Sequence, residues 1–244
     1  MLLWVMQVAA QVRMGAPSGA PSHASIGACR PRALGVCCAA TIMQVSKKFP
    51  DAGRRAAVHG PLLALREEHR AALLGHLLAL RAEDRYLRFG HAASDLQIRR
   101  YVQAIDFARD QVFAVFDRGL RLVAAAHIAR DRTAAGEAEF GVSVLPDARG
   151  MGLGTRLFAR AAMHARNRGL HTLRLHCMSQ NAAMMAIAQR AGMRIRIRES
   201  ETEATLPIAP SNLYTRGAEW LADVGSGIGF ACRTGMQRLR PAAR

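Results

Sequence analysis

The feature that most constrains this sequence is a glycine-bearing loop between an apolar segment and a helical one. The apolar segment ends at Leu145, glycine occupies positions 150, 152 and 154, and residues 155–168 carry apolar side chains at helical spacing. Because glycine has no Cβ atom, the backbone of such a loop can approach a ligand closely. The loop amides would lie at the positive end of the helix dipole, so the arrangement predicts a pyrophosphate site. A glycine-rich turn that holds no ligand is the alternative.

The segments on either side of the loop predict an α/β fold. Before it, three apolar segments separated by turn residues predict an antiparallel meander. After it, a helix, an alternating strand and a second helix follow, which is typical of a mixed sheet. Ser94 and Gln97 have the spacing of a capping box that opens a helix. The predicted strands are residues 112–116, 120–128, 137–145, 171–177, 193–198 and 201–207, and the predicted helices are residues 62–80, 94–105, 155–168 and 181–190.

Two common phosphate-binding loops do not fit these residues. A Walker loop requires lysine followed by serine or threonine, whereas Gly154 is followed by Thr155 and Arg156. A dinucleotide fingerprint requires a third glycine where the chain has Thr155 or Leu157, depending on the starting glycine. It also requires an acidic residue directly after the next strand. In this chain that strand ends at Cys177, and the residues after it are Met178 and Ser179. Both nucleotide-binding loops are therefore excluded.

A third kind of loop matches. Arg149, Gly152 and Gly154 have the spacing R/Q-x-x-G-x-G/A, which resembles the acetyl-CoA signature of the GNAT acetyltransferase superfamily. Members of that family continue with a helix, a strand and an asparagine that opens a second helix. Here Asn181 is followed eleven residues later by Gly192 and then by an apolar residue, which is the spacing of the family.

The resemblance covers about residues 57–207 and implies the fold. It predicts a single GNAT-like α/β domain, in which a mixed, mostly antiparallel sheet contains a splayed parallel strand pair and is flanked by helices. Residues 85–89 (RYLRF) and 138–141 (AEFG) look like the SRYLRF and AEFA segments of the GNAT domain in bacterial protein lysine acetyltransferases.

The resemblance also implies transfer of an acetyl group to an amine, with acetyl-CoA as co-substrate. In the family, the pantetheine arm bonds the main chain of the first splayed strand, which corresponds to Val142 and Val144. Asn181 would bond the arm from the second helix, and it can also be the N-cap of that helix. The diphosphate would lie on the loop, where the implied cofactor-binding residues are Arg149, Gly150, Met151, Gly152, Leu153, Gly154 and Thr155.

Glu139 is the predicted general base. An acceptor amine must be neutral to attack a thioester, and a free lysine has a pKa of about 10.4, so a base assists directly or through water. Strand alternation places Glu137 and Glu139 on one face, and Glu139 matches the glutamate of the AEFA segment. Glu137 is the second candidate, and a solvated strand carboxylate is the alternative. Many family members have a tyrosine acid seven residues after the asparagine, where this chain has Ala188.

The sequence leaves the acceptor amine open. The two segments noted above favour a protein lysine, while a small-molecule amine and a catalytically silent CoA-binding sensor are the alternatives. A net charge of +16, from 34 Lys+Arg against 18 Asp+Glu, is also typical of a nucleic-acid binder. Only 5% of the residues are aromatic, however, and nucleic-acid readers commonly stack bases on aromatic side chains. Nucleic acid is therefore not expected as a partner.

Cysteine usage and the lengths of the apolar stretches predict a cytoplasmic protein. Five cysteines without C-x-x-C spacing predict neither a disulfide framework nor a metal site. No apolar stretch is long enough to span a bilayer, so no membrane partner is expected. The predicted organisation is a disordered extension at residues 1–53, the acetyltransferase domain at 54–207 and an irregular tail at 208–244 with one short helix near 218–224.

Overall fold

Seven strands form one sheet in residues 60–238, the part of the chain that the computed structural model describes. They are β1 (Leu62–Ala64), β2 (Gln111–Phe116), β3 (Leu122–Arg130), β4 (Glu137–Val144), β5 (Thr172–Met178), β6 (Arg194–Arg198) and β7 (Glu201–Pro207). The strand order is β1-β2-β3-β4-β5-β7-β6. Every neighbouring pair is antiparallel except β4 and β5, so the predicted mixed, mostly antiparallel sheet is confirmed. The extension predicted at residues 1–53 lies outside the described residues.

Helices cover both faces of the sheet. They are α1 (Arg70–Leu78), α2 (Ala82–Phe89), α3 (Asp95–Gln103), α4 (Leu153–Asn167), α5 (Ala182–Arg190) and α6 (Leu213–Arg238). Ser143 of β4 hydrogen-bonds His76 of α1, whereas Phe140 of β4 contacts Phe158 of α4 with ring centroids 5.0 Å apart. Because alternate strand residues point to opposite faces, α1 and α4 lie on opposite sides of the sheet.

β4 and β5 separate after a short paired stretch. Their parallel register ends with Glu139 opposite Arg174. β4 nevertheless continues along β3 to Val144, and β5 continues along β7 to Met178. An opening therefore forms between two strands that belong to the same sheet, which confirms the predicted splayed parallel pair.

The start of the domain differs from the single helix predicted at residues 62–80. Its first residues form β1, in which Leu62 lies opposite Val115 of β2, and α1 begins only at Arg70. The adjacent Leu62 and Leu63 suit a strand as well as a helix, and pairing with the edge of β2 decides between the two. The sequence analysis also missed α2, whose residues are mostly polar and whose buried residue is Phe89.

The irregular tail predicted at residues 208–244 is wrong for residues 213–238, which form α6. The glycine-rich centre of this segment lowers its helix propensity, so the sequence indicated only the short helix near 218–224. Packing of α6 on β1 and α4 compensates for that cost. At the α4 contact, the guanidinium of Arg160 pairs with the carboxylates of Glu219 and Asp223, although Arg160 is only 5% exposed.

Glu219 is expected to be a main anchor of α6. Its carboxylate accepts hydrogen bonds from Arg160, His164 and Asn167 of α4. Glutamine at this position removes one of the two carboxylates that pair with the buried guanidinium of Arg160. We therefore expect the free energy of unfolding to fall by about 2 kcal/mol. Thermal unfolding of Glu219→Gln at neutral pH, followed by circular dichroism, tests this, with the exposed Glu83→Gln as control.

The contribution of Glu219 should disappear in acid. Burial raises the pKa of its carboxyl, but hydrogen bonds from its three partners lower it, and the resulting pKa is about 2. An unfolded glutamate has a pKa of about 4.3, so the stabilisation is complete above that pH and is lost as the pH falls towards the folded value. The melting temperatures of wild type and Glu219→Gln should therefore converge in acid. A difference that stays constant down to about pH 3 would contradict the assignment.

Candidate active site

The loop after β4 leads into a helix whose first turn has no side-chain cap. A 3-10 turn at Pro146–Ala148 leads into the loop, and Gly152 is the N-cap of α4. Gly150 and Gly152 have φ angles of 73° and 74°, a left-handed conformation that strains other residues. Within residues 60–238, no side chain caps this helix, and a methyl group at either glycine would have no atom within 4 Å. The first-turn amides thus meet the requirements of an anion site at the positive end of a helix dipole.

Other side chains of the loop anchor it to the core. Leu153 is 2% exposed, and Met151 packs at the edge of the same hydrophobic cluster. A Cβ atom at Gly154 would lie 3.1 Å from Cδ1 of Ile187, so α4 and α5 pack closely there. Of the predicted cofactor-binding residues, Leu153 and Gly154 can therefore offer a ligand only backbone groups, whereas the side chain of Met151 is half-buried.

Arg149 is held at the mouth of the loop by two contacts. Its Nε donates to the carbonyl oxygen of Val144 at 3.3 Å, and its Nη2 pairs with Oδ1 of Asp84 at 2.5 Å. The side chain of Arg149 is 49% exposed, whereas that of Asp84 is 12% exposed. α2 therefore places a carboxylate next to the positive charge that the sequence analysis assigned to the diphosphate.

Asp84 should weaken the binding of an anion at Arg149. Its carboxylate competes for the guanidinium and repels a diphosphate, so we expect Asp84→Asn to lower the KM for acetyl-CoA about threefold. Arg149→Gln should raise that KM, because it removes the attraction itself. Initial rates at varied acetyl-CoA concentration measure both effects. A higher KM in Asp84→Asn would instead mean that the carboxylate orients the guanidinium for the ligand.

Asn181 connects α5 with α2. Its Oδ1 accepts from the amide of Met184 at 3.1 Å, so the predicted N-cap role is confirmed. Its Nδ2 donates to the carbonyl oxygen of Leu87 at 3.4 Å. Asn181 lies where β5 has moved away from Val142 and Val144 of β4, because the two strands pair only as far as Glu139. Its proposed contact with a cofactor stays a prediction.

Glu139 lies at the narrow end of the opening and belongs to a cluster of charged residues. Its Oε1 is 3.8 Å from Nδ1 of His176, whose Nε2 is 3.8 Å from Glu203 of β7. Glu137 makes an ion pair with Arg174 at 2.5 Å, and Arg174 also lies 3.9 Å from Glu203. Burial raises the pKa of the Glu139 carboxyl, and the nearby His176 is among the groups that lower it, so that the net effect is a lowered pKa. Glu139 is therefore an ionised carboxylate at neutral pH.

Arg88 of α2 lies across β4 on the face that carries Glu139. Its guanidinium atoms lie 2.6 to 2.8 Å from the place that a Cβ atom of Gly141 would take, so only glycine leaves room for it. The Nη2 of Arg88 donates to the hydroxyl of Tyr101 at 2.9 Å, and that hydroxyl is 2.8 Å from Nδ1 of His127. This buried chain fixes the guanidinium beside the opening.

The buried histidines and the tyrosine on this face are neutral at physiological pH. Burial lowers the pKa of His76 to about 4 and also lowers that of His127, while it raises the pKa of Tyr101. The hydroxyl of Ser143 lies 2.8 Å from Nε2 of His76, so both groups are satisfied internally. These residues shape the face without supplying charge.

Neither a metal cluster nor a membrane-spanning helix is found in residues 60–238. No group of three or more histidine, cysteine, aspartate or glutamate side chains there is placed to hold a metal ion. No helix in that range is long and apolar enough to cross a membrane. Ala188 lies fully in the core and offers no proton.

The contacts made by α2 were missed by the sequence analysis, although RYLRF was noted as a motif. Asp84, the carbonyl of Leu87 and Arg88 meet Arg149, Asn181 and Gly141, respectively. The usable signal was charge at helical spacing in residues 82–89, ended by Gly90 in a left-handed conformation. Pairing of these residues with distant partners is set by the tertiary fold.

Comparisons with known proteins agree with this geometry. Residues 74–193 match the family model described as the Acetyltransferase (GNAT) family. The GNAT domain of PAT from S. lividans is 20% identical and superposes with a TM-score of 0.51, covering 60% of this chain and 89% of that one. A candidate acetyltransferase from Acinetobacter baylyi ADP1 is 15% identical, with a TM-score of 0.52, covering 62% of this chain and 93% of that one. At such identities the two structures show a common fold, and no curated protein matches the chain.

Proposed function

We propose that this chain transfers the acetyl group of acetyl-CoA to a protein lysine side chain, because residues 74–193 match the GNAT acetyltransferase family model. The observation that carries the proposal is the opening between β4 and β5, which leads to the uncapped first turn of α4. A linear arm fits between separating strands, and a diphosphate fits at helix amides. The loop glycines leave that space free of side chains, so the residues present suit acetyl-CoA as co-substrate.

Several groups of the chain would share the binding of acetyl-CoA. The main chain of Val142 and Val144 lies beyond the last pair with β5, where it would bond the pantetheine arm. The carbonyl oxygen of Val144 also accepts from Arg149, so the arm would share it or use the amide of Val144. Asn181 would bond the arm from the start of α5. Arg149 and the backbone amides from Gly150 to Thr155 would bind the diphosphate.

Acetyl-CoA supplies a thioester carbonyl that a neutral amine can attack. A lysine arrives as an ammonium ion, because its pKa in water is about 10.4. The ionised carboxylate of Glu139 attracts that ion and receives one of its protons through a bridging water. The nitrogen–carbon bond forms while the carbon–sulfur bond breaks. The proton that the nitrogen then loses passes through water to the departing thiolate, because Ala188 offers no acid.

The accessibility of this face supports a protein acceptor over a small amine. The Glu139 side chain is 25% exposed, and that of the neighbouring His176 is 49% exposed. α2 contacts both β4 and β5 on this side of the sheet. An open, charged face suits a lysine carried on a large partner.

Thiol release from acetyl-CoA tests the proposal directly. Wild type is assayed with an unfractionated lysine-containing protein mixture, with the same mixture after chemical blocking of its lysines, and with a panel of small amines. We expect release with the unblocked mixture and loss of release after blocking. Turnover with small amines alone would make this a small-molecule acetyltransferase. CoA binding without turnover on any acceptor would favour a sensor.

We also propose that the protein works in the cytoplasm. Cys177 and Cys232 are free, and Cys232 is exposed. An exposed free thiol is typical of a reducing compartment. Mass spectrometry of alkylated protein taken directly from cells would detect the free thiols.

A further inference from the structure

The edge strand β6 carries a row of arginines on the face of the sheet that holds Glu139. Arg194, Arg196 and Arg198 alternate along the strand, so their side chains share one face. All three are exposed, and none makes an ion pair or a hydrogen bond within residues 60–238. We call these three residues the arginine row.

Strand register shows that the arginine row shares its face with Glu139. Glu139 lies opposite Arg174, Arg174 lies opposite Thr205 of β7, and Thr205 lies opposite Arg194. Residues paired directly across neighbouring strands point to the same side of a sheet. The row therefore begins three strands from the carboxylate, a distance of about 14 Å.

We propose that the arginine row docks an acidic segment of the acceptor polypeptide, next to the residue that presents the amine. This inference rests on the proposed transfer to a protein acceptor and adds the class of sequence that is recognised. An extended chain covers about 14 Å in roughly four residues, so acidic residues about four positions from the acceptor lysine would meet the row. Arginine suits this role because its planar fork pairs with carboxylates in two-point contacts.

The charges around the row favour an acidic polypeptide over nucleic acid. Glu201 and Glu203 lie opposite Arg198 and Arg196 on β7, on the same face of the sheet. Glu203 approaches Arg174 and His176 rather than a member of the row. A continuous phosphate backbone would be repelled by these carboxylates, whereas separate acidic side chains can match separate arginines.

The test uses two peptides with one lysine each, labelled with fluorescein. One carries three glutamates on each side of the lysine, about four residues away from it. The other carries glutamines at the same positions. The protein variants are the triple substitution of Arg194, Arg196 and Arg198 by glutamine and, as a control with the same change in charge, that of Arg99, Arg100 and Arg168, which are exposed on α3 and at the end of α4.

We expect the triple row variant to raise the KM for the acidic peptide about tenfold, with little change in kcat and none for the glutamine peptide. The control variant should behave as wild type does. Thermal melting checks folding, and the single variant Arg196→Gln should show a smaller effect of the same sign. Equal KM values for both peptides in wild type, or equal loss in the control variant, would overturn the docking surface.

Fluorescence anisotropy without acetyl-CoA separates this proposal from the proposed function. Binding of the acidic peptide that needs the arginine row, with no acetyl transfer, would support the surface while refuting the acetyltransferase. Acetyl transfer at equal rates to the glutamate and glutamine peptides would support the acetyltransferase while refuting the docking surface. A labelled single-stranded RNA that binds more tightly than the acidic peptide, and also needs the row, would overturn the acidic-polypeptide assignment.

Discussion

Replacement of Glu139 by glutamine is expected to lower kcat for lysine acetylation about 100-fold or more, with little change in the KM for acetyl-CoA. Glutamine keeps the size of the side chain but removes the negative charge that attracts the ammonium ion and receives its proton. Steady-state rates of thiol release give kcat, and equilibrium binding of CoA checks that the cofactor site is intact. Retention of most of kcat by Glu139→Gln would refute the assignment.

Glu137→Gln is the matched comparison. Glu137 lies two residues earlier on the same face, but its carboxylate is paired with Arg174 at 2.5 Å. We therefore expect its kcat to stay within about threefold of wild type. A large loss in Glu137→Gln with a small one in Glu139→Gln would move the role to Glu137.

The pH profile provides an independent readout. A carboxylate with a lowered pKa stays ionised as the pH falls, so its contribution is present above the ordinary glutamate range and is lost only in stronger acid. In wild type, protonation of Glu139 should therefore cause no fall of kcat/KM near the ordinary glutamate pKa of about 4.3. An acidic limb there that disappears in Glu139→Gln would show that the carboxyl titrates normally during catalysis.

Alanine at Gly152 is expected to raise the dissociation constant for CoA at least tenfold, or about 1.4 kcal/mol. The φ angle of 74° strains a residue with a Cβ atom, and relief of that strain moves the first-turn amides of α4. The added methyl group also projects into the free space beside them. Isothermal titration calorimetry with CoA measures the change.

Gly169→Ala is a control at the other end of α4. Gly169 has a φ angle of 72°, and a methyl group there would also meet no atom within 4 Å. Both substitutions should lower stability by about 1 kcal/mol, because the backbone strain is alike. Only Gly152→Ala should lose affinity for CoA. Equal affinity in the two variants would show that the loop does not bind the cofactor.

The parts of the fold that follow from local patterns were predictable. Strand alternation, glycines with left-handed backbone and the asparagine cap at Asn181 depend on neighbouring residues, and they led to the sheet and the loop. β1, α2 and α6 depend on distant partners. Residues 62–64 become a strand through β2, and α6 forms over a glycine-rich segment because Arg160 and its carboxylates hold it. Such long-range compensation leaves no periodic signal in the sequence.

For the site, the sequence identified the residues but not their mutual contacts. Arg149 and Asn181 were found from motif spacing, yet both are engaged by α2, through Asp84 and the carbonyl of Leu87. The arginine row was visible as alternation in residues 194–198. Its relation to Glu139 required the register of three strand pairs.

The gap between β4 and β5 is an unpaired strand edge in the interior of a sheet instead of at its border. A linear ligand in that gap would take the place of a missing strand, and its partners would be peptide groups common to every residue except proline. Side-chain truncation at Val142 or Val144 would therefore leave those bonds intact. An alanine scan would show no loss of binding at these positions, because it leaves the backbone groups in place. Replacing a backbone amide by an ester would remove one of the bonds and would therefore detect them.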